Sequence, residues 1–253
     1  MKKKLEITLV VPVYNEAKRI GDFLAELEQY KQDSVSLKEV RIVSDGSTDG
    51  TVKILNAWKR RVQHGVSFNI SILSYRQNRG RGYAVRTGLS GITTDYAVYI
   101  DGDLDIPLSN IERVVRELVN GADLVLGSKK MPGAICTSPR KLSRMIVGYG
   151  HSVLTYLFLG VWHWDWQGGI KGFRREMLES VLPSLTIDHW GFDMEVAYLA
   201  QQLGYKLVER PLVWGAKSND SRVRLARDIV IAIRDMWQIR RQVKTVVGEV
   251  ATA

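Results

Sequence analysis

The chain has 253 residues, of which 45% are hydrophobic and 25% charged, so it can form a sizeable core and is neither a disordered nor a collagen-like polypeptide. Its single cysteine, Cys136, excludes an internal disulfide framework and favours a reducing, cytoplasmic setting. The net charge of +9 predicts a polyanionic partner, which is a nucleic acid, an anionic membrane or a phosphorylated substrate.

The first half of the chain alternates short apolar segments with segments of helical periodicity. Such alternation predicts an α/β fold, in which a mainly parallel sheet is flanked by helices. The predicted strands cover 7–13, 40–43, 68–73, 96–100 and 122–126. The predicted helices cover 20–30, 51–61, 83–91 and 109–120.

The second half is less regular and ends in a strongly amphipathic segment. We predict a loop over 129–139, helices over 143–159 and 192–203, and a strand over 206–214. Residues 222–244 place their apolar side chains on one half of a helical wheel, which predicts an amphipathic helix. This helix packs either on the domain or in a membrane interface.

The absence of repeats and of a Gly/Ser linker favours one continuous domain over 1–220, followed by the C-terminal helix over 221–253. Within this domain we distinguish two parts, 1–128 and 129–220, which meet just after the last predicted strand of the regular first half. We expect neither a cleavable leader nor a membrane span, because no apolar stretch of about 20 residues is uninterrupted.

The positive charge is concentrated in the second half. Between Lys129 and Arg144 there are five cations and no acid. Between Lys206 and Lys244 there are ten cations and four acids, so the two segments sum to +11 and the rest of the chain to −2. An acid-free segment of this kind is suited to binding phosphate groups, although an ordinary solvated loop has the same composition.

Polar clusters lie at the ends of four of the predicted strands, at 12–16, 44–47, 78–82 and 101–105. Ligands of open α/β sheets bind beyond the carboxyl ends of the strands, so these clusters mark one candidate site. Asp101, Asp103 and Asp105 alternate after an apolar strand, and in extended geometry all three carboxylates would point the same way. Carboxylates crowded in this way predict a hard divalent cation, Mg²⁺ or Mn²⁺, which also holds substrate phosphates.

Six segments in order resemble motifs of the family 2 glycosyltransferases, which have the GT-A fold. They are 11–16 (VPVYNE), 44–51 (SDGSTDGT), 101–104 (DGDL), 127–129 (GSK), 165–174 (DWQGGIKGFR) and 190–195 (WGFDME). The last three are similar to the branch that transfers glucose or mannose to polyprenyl (dolichyl) phosphate. The resemblance covers residues 5–241, and it implies nucleotide-sugar binding for 1–128 and acceptor binding for 129–220.

The resemblance implies a role for individual residues on the donor side. Nucleotide-sugar binding is implied for Pro12, Tyr14, Asn15, Glu16, Asp45, Asn78, Gly82, Asp101 and Gly102. Asp45 would hydrogen-bond the base, the backbone of 78–82 would approach the nucleotide, and Asp103 and Asp105 would bind the metal.

The resemblance also implies residues around the donor and acceptor phosphates. Acceptor-phosphate binding is implied for Lys129, Arg140, Ser143 and Arg222, and the catalytic set is Asp101, Asp103, Asp105, Lys129, Arg140 and Lys171. The sequence departs from the family at Ser44, where a second acid is usual. It departs from the branch at Gly168 and Ile170, where the pattern is otherwise Gln-Cys-Gly-Phe-Lys.

These inferences favour a metal-dependent inverting glycosyltransferase that moves a hexose from UDP-glucose or GDP-mannose to a polyprenyl phosphate. Its expected location is peripheral, on the cytoplasmic face of a membrane. One alternative is the same fold acting on a non-lipid acceptor. A basic nucleic-acid-binding protein is a weaker alternative, since it leaves the acidic cluster at 101–105 unexplained.

Overall fold

A computed structural model describes residues 4–31, 34–138, 142–215 and 225–252. The strands are β1 (Leu5–Val13), β2 (Val35–Ser44), β3 (Asn69–Ser74), β4 (Tyr96–Ile100), β5 (Leu124–Ser128), β6 (Ile135–Cys136), β7 (Ile170–Arg174), β8 (Leu207–Pro211) and β9 (Val213–Trp214). The helices are α1 (Ile20–Glu28), α2 (Thr51–Val62), α3 (Arg81–Leu89), α4 (Asn110–Val119), α5 (Leu142–Leu159), α6 (Arg175–Val181), α7 (Phe192–Gln202) and α8 (Leu225–Thr252), with a 3₁₀ turn at Leu182–Ser184.

Seven strands form one sheet in the order β3-β2-β1-β4-β7-β5-β8. All its pairings are parallel except those of β7, which runs antiparallel to both β4 and β5. The mainly parallel sheet flanked by helices is therefore confirmed. The short strands β6 and β9 form a separate parallel pair.

The strands β1, β4 and β5 are buried on both faces over most of their length, which explains why their sequences are nearly continuously apolar. Side chains of a strand alternate between faces. In β4, Val98 and Ile100 pack on the layer of α1, α2 and α4, whereas Ala97 and Tyr99 pack on the layer of α3, α6 and α7. The carboxyl edge of the sheet, which lies beyond the ends of its parallel strands, carries the candidate site.

The last helix, α8, uses only part of its apolar surface to pack on the domain. Met236, Ile239 and Val243 are buried in the same core as α7. Val230 and Trp237 face outward, and Trp237 is 62% exposed. One side of α8 therefore packs on the domain, as one of the two expectations for this helix had it. Another side is left exposed, which is the side that the alternative, packing in a membrane interface, would use.

The helix α5 runs beside α8 and also presents apolar side chains outward. Leu157 is 71% exposed, and Val153 and Tyr156 are exposed as well. The Arg240 guanidinium of α8 donates to the carbonyl oxygen of Phe158 at 3.2 Å, which joins the two helices. Within the described residues, neither of these helices nor any other is both long and apolar enough to cross a bilayer.

Candidate active site at the carboxyl edge of the sheet

Four parallel strands end at one edge of the sheet and place polar residues there. β1 is followed by Tyr14, β2 by Asp45, β4 by Asp101 and β5 by Lys129. Because β7 is antiparallel, its first residue pairs with the last residue of β4, and the residues just before it reach the same edge. The structure therefore brings the predicted donor and phosphate residues of the described chain to one edge.

The segment after β1 is fixed by bonds to the loop after β2. Asn15 adopts a left-handed φ of 52°, and its Oδ1 accepts the backbone N–H of Thr48 at 2.8 Å. The Glu16 carboxylate binds Arg19 through two hydrogen bonds of 2.8 Å. Tyr14 is left as the exposed aromatic ring of this segment. Asn15 and Glu16 thus shape the loop by contacts within the protein.

Asp45 is buried and organises the neighbouring loop over 75–80. Its Oδ1 accepts from the Tyr75 hydroxyl and the Arg79 backbone N–H, both at 2.8 Å. Its Oδ2 accepts from the Asn78 amide and the Gly80 backbone N–H, both at 2.9 Å. A contact between Asp45 and a nucleotide base stays a prediction. A base would have to bind carboxylate oxygens that already accept these four hydrogen bonds.

The glycines of the 78–82 loop are required by a neighbouring loop of the protein. A Cβ on Gly80, whose φ is 107°, would lie 2.3 Å from the carbonyl oxygen of Asp188. A Cβ on Gly82 would lie 2.5 Å from the Cβ of Phe192. These glycines therefore let the loop approach the chain at 187–192 closely, and the approach of its backbone to a nucleotide stays a prediction.

Asp101 is held by Arg81, which lies at the start of α3. The Nε and Nη2 atoms of Arg81 donate to Asp101 Oδ1 at 3.0 and 2.9 Å. Burial raises the pKa of Asp101, and the Arg81 guanidinium opposes that shift. Arg81 thus favours an ionised Asp101 at the centre of the edge.

Arg81 also belongs to a buried ionic network behind Asp101. Its Nη1 donates to Asp193 at 2.6 Å, and Asp193 accepts from Lys171 Nζ at 2.9 Å. The Tyr99 hydroxyl donates to Asp193 as well. Burial alone would raise the pKa of Asp193, but Arg81 and Lys171 hold it below its ordinary value.

Lys171 lies in the buried network behind Asp101. Its side chain is fully buried, and its Nζ donates to Asp193, to Tyr99 at 3.1 Å and to the carbonyl oxygen of Gly168 at 3.0 Å. The described partners of Lys171 Nζ are therefore all within the protein, and its predicted role beside a substrate phosphate stays a prediction. Lys171 is linked to Arg81 through Asp193.

The second acid on the first turn of α7 is also engaged internally. Glu195 is buried and accepts from the backbone N–H groups of Thr186 and Ile187, both at 2.9 Å. Burial raises the pKa of Glu195, and these hydrogen bonds counteract the shift. Glu195 thus fixes the loop that precedes α7.

The acidic segment 101–105 is a turn, so the expected extended geometry is wrong. Leu104 has a φ of 59°, Asp101 is turned toward Arg81, and the Asp105 backbone N–H donates to Asp103 Oδ1 at 3.0 Å. No group of three acidic, histidine or cysteine side chains in the described ranges is arranged to hold a metal. Arg81 thus engages one of the three carboxylates, and the turn at Leu104 replaces the extended backbone that would have aligned them.

The remaining two carboxylates nevertheless fit a hard divalent cation. Mg²⁺ is usually held by one or two carboxylates, waters and substrate phosphates, so three protein ligands are not required. Oδ2 of Asp103 accepts no hydrogen bond from the described residues, and Asp105 lies 4.0 Å from Lys129 Nζ. Burial works to lower the pKa of Arg19, yet nearby Glu16, Asp103 and Asp105 together raise it, which shows the local excess of negative charge.

The predicted acceptor-phosphate residues are only partly described. Lys129 lies beside Asp105, and its Nζ is 5.2 Å from the centre of the Trp214 ring. The next cation, Lys130, is paired with Asp165 at 3.2 Å. Arg140 and Arg222 lie outside the described residues, and Ser143 lies on the first turn of α5, in a part of that helix whose side chains are not described.

Gly168 is a departure from the branch pattern that the structure explains. A Cβ at this position would lie 1.7 Å from the carbonyl oxygen of Gly127, so no side chain fits. At the adjacent Gly169, a Cβ would lie 2.3 Å from Asp101 Oδ2. The two glycines let the chain before β7 close tightly on the ends of β4 and β5.

We therefore expect Gly168→Ala to lower the free energy of unfolding by about 2 kcal/mol or more, because the methyl group overpacks a backbone contact. Gly21→Ala is the matched control, since nothing lies within 4 Å of its Cβ in α1 and an alanine there favours the helix by up to about 1 kcal/mol. Urea unfolding monitored by circular dichroism measures both. Equal midpoints for the two variants would contradict the tight closure.

Several residues that the structure places at the site are not identifiable from the sequence. Arg81 lies inside a polar cluster that was noted, but nothing in the sequence indicates its two carboxylate partners. Tyr99 looks like an ordinary strand residue, and Asp193 belongs to a motif for which no role was inferred. Trp190 is 60% exposed, and the Arg81 guanidinium lies 5.0 Å from its ring centre.

A family model for "Glycosyl transferase family 2" matches residues 8–182, which is most of the chain and includes the greater part of β1 and all strands from β2 to β7. The chain is a family 2 glycosyltransferase. The predicted enzyme class and family are thereby confirmed, and the interpretation as a nucleic-acid-binding protein loses its support.

Curated relatives of this glycosyltransferase include enzymes of lipid-linked sugar transfer. It is 30% identical to dolichyl-phosphate beta-glucosyltransferase of Dictyostelium discoideum, over 92% of this chain and 77% of that protein. It is 28% identical to the Saccharomyces cerevisiae enzyme of the same name, over 94% of this chain and 75% of that protein. It is 30% identical to glycosyltransferase AglD of Haloferax volcanii, over 98% of this chain but only 40% of AglD.

Solved structures confirm the GT-A fold of the glycosyltransferase. Glucosyl-3-phosphoglycerate synthase of Mycobacterium tuberculosis in complex with UDP superposes with a TM-score of 0.65 at 19% identity, over 96% of this chain and 80% of that one. Another structure of that synthase holds Mn²⁺, UDP and glucosyl-3-phosphoglycerate. At this identity the likeness concerns the fold.

Proposed function

We propose that this glycosyltransferase moves a hexose, with inversion, from UDP-glucose or GDP-mannose to a polyprenyl (dolichyl) phosphate. The observation that carries the proposal is the internal engagement of both acids on the first turn of α7. Asp193 is buried between two cations, and Glu195 is buried against two backbone N–H groups.

An acceptor hydroxyl needs a general base to remove its proton, whereas a phosphate monoester has a second pKa near 6 and is already largely anionic at neutral pH. A site whose α7 carboxylates are unavailable as bases therefore suits a phosphate acceptor. The dolichyl-phosphate beta-glucosyltransferases among the relatives support the same acceptor and favour glucose as the sugar.

In the proposed reaction, an oxygen of the acceptor phosphate forms a bond to the anomeric carbon while the bond from that carbon to the diphosphate oxygen breaks. The electron pair leaves with the nucleoside diphosphate, and attack from the opposite side inverts the anomeric configuration. Catalysis then consists of placing two anionic groups in line. Lys129 lies at the edge where it can offset that charge.

Asp103 and Asp105 are the residues that would hold Mg²⁺ or Mn²⁺ in this protein. When bound, the ion would neutralise charge on the diphosphate leaving group. Asp101 lies behind them and is oriented by Arg81 through two hydrogen bonds. The donor would lie along the edge formed by Pro12, Tyr14, Asn15, Glu16, Asp45, Asn78, Gly82 and Gly102.

The test of the proposed function compares acceptors that differ only in the phosphate. The purified protein is incubated with Mg²⁺, either UDP-glucose or GDP-mannose, and either a short polyprenyl phosphate or the matching polyprenol. A soluble phosphorylated acceptor, 3-phosphoglycerate, tests the alternative of a non-lipid acceptor. Mass spectrometry should detect glycosylated polyprenyl phosphate alone. Equal product from polyprenol or from 3-phosphoglycerate would overturn the proposal.

The acceptor would be reached at a membrane surface. Two neighbouring helices share what we term the outer face, which comprises Val153, Tyr156, Leu157, Val230, Ile233 and Trp237. Arg240 and Arg241 lie along it, with the Arg241 guanidinium 5.8 Å from the Trp237 ring centre. Apolar and aromatic side chains beside arginines suit an interface of anionic lipids. We propose that the protein binds peripherally to the membrane through this face, on the cytoplasmic side. A chain with a single cysteine has no internal disulfide, which fits a reducing compartment.

We expect Trp237→Glu to weaken binding to vesicles that contain anionic lipid about tenfold or more, because a charge replaces an aromatic ring at the interface. Val119→Glu is the matched control, since Val119 is 56% exposed at the end of α4, away from the outer face. Co-sedimentation with phosphatidylglycerol-containing liposomes measures both. Equal loss in the two variants, or no loss in either, would contradict lipid binding by this face.

A further inference from the structure

The loop at 188–191 lies directly on the donor-side loop. The Tyr83 backbone N–H donates to the carbonyl oxygen of Asp188 at 2.9 Å, and Asp188 is also bonded to the Arg86 guanidinium. Gly80 and Gly82 leave no room for a Cβ against this loop. The 188–191 loop and the start of α3 therefore form one closely packed unit.

This loop carries Trp190 to the mouth of the site. The Trp190 ring is 60% exposed and lies 5.0 Å from the Arg81 guanidinium. The same guanidinium donates to Asp101. One residue thus joins the carboxylate at the end of β4 to an exposed aromatic ring that belongs to the second half of the chain.

The helix α8 contacts the 188–191 loop through the side chain of Asp235. Asp235 of α8 is only 4% exposed, and its Oδ2 lies 3.5 Å from Nδ1 of His189. A Cβ on Gly191 would lie 2.4 Å from that same Oδ2. The Asp235 carboxylate is therefore inserted between the two residues that flank Trp190.

The insertion has an energetic cost that a purely structural helix contact would avoid. Burial raises the pKa of Asp235 to about 6, and nearby Glu195 adds to that shift, whereas His189 and Arg234 oppose it. Burying a carboxylate is unfavourable unless a partner compensates. Of the two groups that oppose the shift, Arg234 lies on α8 itself and His189 belongs to the 188–191 loop.

We infer that Asp235 is a positioning residue of the acceptor side: it holds His189 and Gly191, and thereby fixes Trp190 against Arg81. The inference rests on the proposed function, because it assigns Trp190 to the acceptor. The Trp190 ring offers an apolar surface that only Arg81 separates from Asp101. Such a surface suits the hydrocarbon chain that adjoins the phosphate of a lipid acceptor. The C-terminal helix thus contributes to the active site as well as to the outer face.

Steady-state kinetics of Asp235→Ala and of the more conservative Asp235→Asn test the role. We expect Asp235→Ala to raise the KM for polyprenyl phosphate about tenfold and to leave the KM for the nucleotide sugar within about twofold. Asp235→Asn keeps the shape and an accepting oxygen, so it should recover part of the loss. The matched control is Gln242→Ala, which removes α8 contacts to Ser184 and Thr186 instead.

A second measurement is independent of activity. Amide hydrogen exchange of the peptide at 188–192, which excludes the Thr186 contact of Gln242, should become faster in Asp235→Ala and remain unchanged in Gln242→Ala, because only the first variant releases His189. If no phosphate acceptor is used by the wild-type protein, the proposed function fails while this exchange experiment still decides the positioning role. Unchanged exchange in Asp235→Ala, or an equal rise in acceptor KM in Gln242→Ala, would overturn the inference.

Discussion

Asp103→Ala is expected to lower the rate of sugar transfer about 100-fold or more at saturating Mg²⁺, because it removes a carboxylate that would hold the ion against the diphosphate. Asp103 is suited to this role by its geometry. One of its oxygens accepts the Asp105 backbone N–H, which fixes the side chain, and the other points away from that bond. The free energy of unfolding should change little in Asp103→Ala, since residue 103 lies in a partly exposed turn.

The measurement combines transfer rates with calorimetric titration of UDP in the presence and absence of Mg²⁺. Wild-type protein should bind UDP more tightly with the ion, and Asp103→Ala should lose that difference. Asp22→Ala is the control, because Asp22 is an exposed acid on α1. A variant at position 103 that keeps the effect of Mg²⁺ on UDP binding would show that the metal is held elsewhere.

Asp193→Ala is expected to lower the free energy of unfolding by about 3 to 5 kcal/mol, because it leaves a buried ammonium without its partner. Lys171 is fully buried, so its charge cannot reach water when Asp193 is removed. Transfer activity should be lost as well, since Arg81 would keep only one of its two carboxylate partners. Thermal and urea unfolding measure the first effect, and the acceptor assay measures the second.

The double variant Asp193→Leu with Lys171→Met separates the two effects. Replacing a buried ion pair by apolar residues of similar volume is often neutral or stabilising, so the fold should recover. Activity should stay low, because no carboxylate on α7 orients Arg81 toward Asp101. Recovery of both stability and activity would show that the network serves the fold alone.

The strands and helices of the first half were predictable because each has a strong local signal. Strand β4 was predicted with its observed bounds, and β1 was placed to within two residues of its start. The strand β7 was not predicted. Its sequence contains Lys171 and Gly172, and it becomes a strand only because β4 and β5 leave an antiparallel position between them.

The candidate site was predictable to the level of the sheet edge but not of the side-chain contacts. Asp101 and Lys129 lie where strand ends and motifs place them. The network that orients Asp101 joins Arg81 to Asp193 across 112 positions of the sequence, and no local pattern indicates such a pairing. The same holds for Asp235 and His189, which meet only because α8 folds back on α7.

The position of β7 has a consequence for the order in which the molecule can fold. Residues 170–174 occupy the middle of the sheet, between strands that end at Ile100 and begin at Leu124. During synthesis, the edge of β4 that pairs with β7 must therefore wait from residue 100 to residue 170, and that of β5 from residue 128 to residue 170. Closing long loops slows folding. Until then both strands present open edges, which favour association with other chains. A nascent chain that stalls before residue 174 would accordingly need a chaperone more than one that has passed it.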